Sequence, residues 1–185
     1  MNVINLLEKY FKNKVALEII LEHGQMVAAK ALGIAGYIGD EKIDRQFIEE
    51  ASLLHDIGAC RTASPGICCF GTEPYILHGI IGREILDSEG FPAHALVCER
   101  HIGVGITIED IRIQRLPLPE RNMSPVSIEE RIICFADLFY SKKPGTLTVE
   151  KSPDHVMKKL DRFGEEKRRI FEEWSKEFGL QFNAG

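Results

Sequence analysis

Apolar residues return every three or four positions through most of the chain, the period of helices with one buried face. Residues 3–11 carry Val3, Ile4, Leu6, Leu7, Tyr10 and Phe11 on that spacing. A second helix is predicted over about 14–34, with Val15, Ile19, Met26, Val27 and Leu32 in its apolar set. Asp44 is placed to cap a third, flanked by Ile43 and Ile48 as a hydrophobic staple and ending near Gly58. From Cys60 to Pro74 the text is rich in Gly, Pro, Ser and Thr and reads as loop. A fourth helix is expected over roughly 75–88. Pro92 suits the first turn of a fifth, which runs to about 101. GVGIT breaks the pattern, and Pro117, Pro119 and Pro125 forbid a regular helix through QRLPLPERNMSP. Ser127-Ile128-Glu129-Glu130 has the form of a capping box opening a sixth helix through residue 140. Ser152-Pro153 starts a seventh that Gly164 ends, and EEKRRIFEEWSKEFG forms a charged, amphipathic eighth. No strand alternation, internal repeat or splitting linker is evident. The expectation is one all-α domain over 1–185, a helical bundle with helices over 152–179 packed on a core over about 14–141.

Composition narrows the partners. The chain has 185 residues and a formal net charge of -5, which disfavours duplex nucleic acid and anionic membrane as partners of the whole surface. No apolar run approaches the ~20 residues of a membrane span. The start, MNVINLLEKYFKNK, mixes its charges and shows no small-residue cleavage site, so no signal peptide is read there. Five cysteines without a CxxC pair point to free thiols and a cytoplasmic location.

Polar residues interrupt the apolar text at six telling places. His23 lies mid-helix in LEHGQMV, beside Gly24, where a small residue permits close approach. His55 and Asp56 end the third helix, His78 opens the fourth, and His101 ends the fifth. Asp137 sits within ICFADLFY. Any one of them could be a hydrogen-bonded core residue. Four histidines and two aspartates in one domain would each need a separate buried partner, whereas a shared cation serves all six. Imidazoles and carboxylates suit a divalent transition metal, one or two ions of Fe, Mn, Zn, Co or Ni.

The order His23, His55-Asp56, Asp137 resembles the H…HD…D signature of HD-domain metal-dependent phosphohydrolases. HDIG matches the signature's common local text. His78 and His101, between the HD pair and the last aspartate, resemble the family's two-metal branch. The closest ligand pattern is that of small bacterial hydrolases that split diadenosine tetraphosphate symmetrically. The resemblance implies an HD-domain-like helical bundle with a metal site between helices. His23, His55, Asp56 and Asp137 would hold one ion, and Asp56 would bridge to a second held by His78 and His101. His55 and Asp56 are thereby placed at the catalytic centre. A bound divalent ion acidifies water towards neutrality, so the implied reaction is hydrolysis of a nucleotide-type phosphoester or phosphoanhydride. Ala59 stands where the cyclic-dinucleotide phosphodiesterases carry Lys, and no GYP segment occurs. Ala59-Cys60-Arg61 also lacks the acidic residues of the guanosine pentaphosphate hydrolases. FYSKKPGTLTVEKS resembles the tail of uncharacterised HD-domain proteins of this size. Two alternatives stay open: a single-metal 5'-nucleotidase-like hydrolase, with His78 and His101 contacting phosphate, and a non-catalytic module that binds nucleotide or metal.

The expected partner is a small phosphorylated or nucleotide substrate, bound by a monomer or homodimer. Arg61 and Arg83 are the candidate phosphate-binding cations. Arg83 is five residues from His78, about 140° around a helix from it. The segment 102–125 could act as a lid or as a rigid connector. His94 and His155 are expected in solvent, and Ile170, Phe171, Trp174 and Phe178 form the apolar stripe of the last helix.

Overall fold

The computed structural model describes residues 2–180; residue 1 and residues 181–185 of the expected domain lie outside it. The described residues form an all-α bundle of nine helices: α1 (Val3–Tyr10), α2 (Lys14–Ile38), α3 (Arg45–Leu54), α4 (His78–Ser88), α5 (Pro92–Arg100), α6 (Ile108–Gln114), α7 (Ile128–Asp137), α8 (Pro153–Leu160) and α9 (Glu165–Glu177). Their starts are set by short polar side chains, each accepting a bond from an otherwise unpaired backbone N–H. Asn13 caps α2, Asp44 caps α3, Ser127 caps α7 and Ser152 caps α8. The Glu130 carboxylate does not close a box onto Ser127. It accepts from the Val126 N–H and from Arg100 instead.

Several boundaries differ from expectation: the helix opened by Ser127 ends at Asp137 rather than at residue 140, and the fourth begins at His78 after a 3-10 turn over Tyr75–Leu77. The second helix runs four residues further, to Ile38, and stops at Gly39, whose φ of 69° supplies the left-handed C-cap. The third helix ends at Leu54, and a tight 3-10 turn, Ile57–Arg61, carries the rest of the HDIG text. α6 was not anticipated: it lies between GVGIT and the prolines, opened by a capping box of Thr107 and Asp110. Within the expected loop 60–74, Ala63–Ser64 and Cys69–Phe70 pair as a two-stranded antiparallel sheet.

The longest helix, α2, spans two cores. Its first half buries Ala16, Ile19 and Ile20 with α1, α4 and α5. Its second half buries Val27, Ala31, Ile34 and Ala35 with α3, α7, α8 and α9. His23 lies between these two sets. α2 packs on α3 and α7, and α4 packs on α5. The segment 102–125 has an apolar cluster of its own, Ile106, Ile111, Leu118 and Met123. Paired backbone bonds between Ile106 and Met123 close it. No helix among the described residues is long and apolar enough to cross a membrane. All five cysteines are free thiols.

Candidate metal centre

The ends of α3, α4, α5 and α7 and the middle of α2 bring the six predicted residues together. The rings of His55, His78 and His101 each face a backbone carbonyl three residues earlier through Nδ1. The distances are 2.6 Å to Ser52, 2.7 Å to Tyr75 and 2.8 Å to Cys98. A neutral ring that donates through Nδ1 presents its lone pair on Nε2. All three Nε2 atoms turn to Asp56, at 2.9, 3.4 and 3.6 Å. His23 Nε2 is 2.9 Å from Asp137 and 3.4 Å from Asp56.

Close backbone approach makes this convergence possible. Gly24 lets α2 meet α3: a Cβ there would lie 3.0 Å from the Leu53 Cα. A Cβ on Gly58 would collide with the His78 carbonyl oxygen and the Gly82 nitrogen. The glycine of HDIG therefore seats α4, and His78 with it, directly on the HD turn.

The donor set fits a cation. His23, His55, Asp56, His78 and His101 are all at most 4% exposed. His55 Nε2 and Asp56 Oδ1 have no directed hydrogen bond among the described residues. His78 and His101 point Nε2 at Nε2 across 3.1 Å. Two rings anchored through Nδ1 hold lone pair against lone pair there, a repulsion that a cation or proton removes. Two overlapping groups have ligand atoms close enough to share an ion: His23, His55 and Asp137, and His55, Asp56 and His101.

The electrostatics also call for positive charge. Burial keeps His23 and His78 neutral, pulled down to about 4 and about 3. Burial works the same way on His55, but the Asp56 and Asp137 carboxylates override it and push the ring up to about 10. Both carboxyls lie well below the usual carboxylate range despite burial. His55 and Lys142 hold Asp56 there, and Lys142 and His23 hold Asp137. A divalent cation meets the same demand for charge.

The cluster opens into a cavity of about 880 Å³. His78, His101 and Asp137 are among its lining residues. Ile76, Ile102, Val104, Ile106 and Leu116 give it apolar surface, and the Tyr75 ring stacks on His78 at 4.5 Å between centroids.

A family model described as the HD domain matches residues 20–141. The chain belongs to the HD-domain family. An uncharacterized protein of Methanocaldococcus jannaschii is 36% identical to it over 148 residues, 78% of this chain and 77% of that protein. A protein of Picrophilus torridus named tRNA (cytidine(56)-2'-O)-methyltransferase is 34% identical over 127 residues, 68% of this chain and 33% of that one. A protein of the same name from Thermoplasma volcanium is 33% identical over 158 residues, 84% of this chain and 40% of that one. The chain thus spans a third to two fifths of those two methyltransferase relatives. No solved structure matches it.

Within this HD-domain chain the two candidate arginines stay away from the cluster. The Arg83 guanidinium bonds the buried Glu99 carboxylate and lies 3.5 Å from Asp87, so α4 turns it away from His78. Arg61 is exposed and does not line the cavity; its backbone carbonyl accepts from Thr72 and Glu73. His94 is half-buried against Phe47 and Phe91, 3.4 Å from Glu50, rather than in solvent. His155 is exposed at the cavity edge.

The cations that do reach the HD-domain site are lysines outside the predicted set. Lys142 Nζ lies 2.7 Å from Asp56 and 3.9 Å from Asp137. Burial opposes its charge, yet Asp56, Tyr75 and Asp137 hold the ammonium protonated well above the ordinary lysine range. Its signal was the lysine pair in FYSKKPG, five residues after Asp137. Lys151 donates to the Leu138 and Tyr140 carbonyls at the end of α7, and burial and Lys159 lower it to about 8.

Proposed function

We propose that the protein is a metal-dependent phosphohydrolase acting on a nucleotide-type phosphoester or phosphoanhydride with two divalent ions. The observation that carries this reading is the convergence of four imidazole Nε2 atoms and two carboxylates in one buried cluster, at the end of a large cavity. His23, His55, Asp56 and Asp137 would hold one ion. His78 and His101 would hold the other, with Asp56 shared. When bound, such ions supply Lewis acidity towards phosphoryl oxygens and acidify water to near neutrality.

The chain's own residues prepare the rest. Three carbonyls fix the imidazole rings, so the ligands need little reorganisation. Lys142 places a fixed positive charge where the cavity meets the cluster, the sign a transferring phosphoryl group needs. The apolar surface of the cavity limits water around the reacting bond. All six ligand positions are filled by ligating residue types, which favours catalysis over a binding-only module. The relatives' methyltransferase name reaches this chain through no feature of the helical cluster.

Elemental analysis of protein purified without chelator or nickel resin, combined with phosphate release from a nucleotide panel, tests the reading. The expected result is about two equivalents of transition metal, the two-metal arrangement, with hydrolysis of dinucleoside polyphosphates or phosphodiesters. One equivalent with nucleoside monophosphate hydrolysis selects the single-metal nucleotidase. Neither metal nor phosphate release rejects the proposal.

A further inference from the structure

The chain after Tyr140 supplies the cavity with charge. Lys142, Lys143, Lys151, Lys159 and Lys167 all line it. Residues 142–167 lie beyond the span 20–141 that the HD-domain model matches. The concentration is local, because the chain as a whole carries a net charge of -5. Two of the five are matched by carboxylates. Lys142 faces Asp56 and Asp137, and Lys167 meets Asp110 at 2.5 Å. Asp110 and Asp137 are the only carboxylate residues in the lining among the described residues, and both are thereby engaged. Lys143, Lys151 and Lys159 remain without a carboxylate partner there. Lys151 donates only to neutral carbonyls.

Lys143 and Lys159 are exposed and Lys151 is half-buried, and an anion in the cavity would draw on all three charges. A single phosphate at the cluster would already be served by Lys142 and the ions of the proposed function. We propose that Lys143, Lys151 and Lys159 select a nucleotide carrying two or more phosphates, the reacting phosphate at the cluster and the others beside these lysines. The size agrees: about 880 Å³ stands near the upper end of the ~300–1,000 Å³ of small-ligand pockets. The apolar residues Ile76, Ile102, Val104, Ile106 and Leu116 offer uncharged contact of the kind a nucleobase takes. This deepens the phosphohydrolase reading and rests on it.

Titration calorimetry of the metal-loaded protein with two probes, AMP and the β,γ-imido analogue of ATP, tests the selection. The expected result is a preference for the analogue of at least about tenfold, one and a half kcal/mol or so. Lys143→Ala/Lys159→Ala should cost the analogue about tenfold more affinity than it costs AMP. Equal affinities for the two probes, or equal losses for both, would overturn the inference. So would a short oligoribonucleotide that outcompetes the analogue through the same lysines. Circular dichroism and metal content of the variant show that it is folded and loaded. Phosphate release is scored separately. A lysine-dependent preference without hydrolysis of any nucleotide leaves the selection standing and sinks the phosphohydrolase reading. Hydrolysis without the preference does the reverse.

Discussion

Asp56 faces four imidazole nitrogens and one ammonium, all within 3.6 Å. In the proposed two-ion arrangement it is the residue shared by both ions, so its loss and the loss of a peripheral histidine should differ. Asp56→Ala is expected to empty both metal positions, whereas His78→Ala is expected to remove one, leaving about one equivalent by elemental analysis. Loss of affinity for nucleotide without loss of metal in His78→Ala would instead make His78 a phosphate contact. Lys142→Met should retain metal and slow phosphate release by about 10²–10³-fold, the typical cost of removing one preorganised charge from a reacting oxyanion. The six clustered residues were legible in the sequence because each breaks an apolar helical pattern, and a buried polar residue needs a reason. Lys142 was not, because a lysine in a loop breaks no pattern. Arg61 and Arg83 were chosen by nearness along the chain, which does not set direction. Arg83 is turned to Glu99 by the helix that carries it.

At the scale of elements, the HD turn and α4 are joined by backbone contact. Gly58→Ala would force a methyl group into the His78 carbonyl, which α4 cannot yield without moving its ligand. The expected cost is about 1–3 kcal/mol or more, the range for overpacking a close contact. Urea unfolding and metal content should fall together in this variant; an unchanged metal content would show that α4 can shift freely. A second joint ties α6 to α9. Lys167 bonds Asp110 and the Gly105 carbonyl, while Asp110 also accepts from Thr107. Burial raises the Asp110 carboxyl, but Lys167 and Thr107 outweigh it and leave the group below 3.8. The folded value is depressed, so this joint stabilises fully above the unfolded value near 4 and is lost as pH falls through the folded one. Asp110→Asn should therefore lower stability at pH 7 by about 1–2 kcal/mol, the cost of a lost cap and charged bond. Its difference from the parent should shrink in acid, as chemical denaturation at the two pH values would report. α6 itself stayed hidden because its seven residues lie between a glycine-rich break and a proline run. Only Thr107 and Asp110, three apart, announced it.

The described residues set the cluster of four histidines and two aspartates between two cores, with a third apolar cluster in the segment 102–125. Phe171 on α9 stacks on Phe135 of α7 at 5.2 Å between centroids and is fully buried. Phe171→Ala should cost about 3–5 kcal/mol in thermal or denaturant unfolding. Metal that binds only the folded chain should stabilise all of it, by about 2.7 kcal/mol at a hundred times its dissociation constant. Chelator is accordingly expected to lower the midpoint of thermal unfolding, and an unchanged midpoint would count against a site built into the fold. The all-α bundle was legible because helical periodicity runs through nearly every segment. The closure by the last helices was legible only as an apolar stripe, since charge placed on a cavity by distant segments leaves no local trace. That closure has a consequence for how the protein is made. A ribosome releases the chain from its N-terminal end, so every residue of the cluster, from His23 to Asp137, emerges before Lys143, Lys159 and Lys167. Under the proposed function, a growing chain therefore acquires the residues that would capture metal while it still lacks the lysines that would hold a substrate, and hydrolysis would wait until Lys167 has been made.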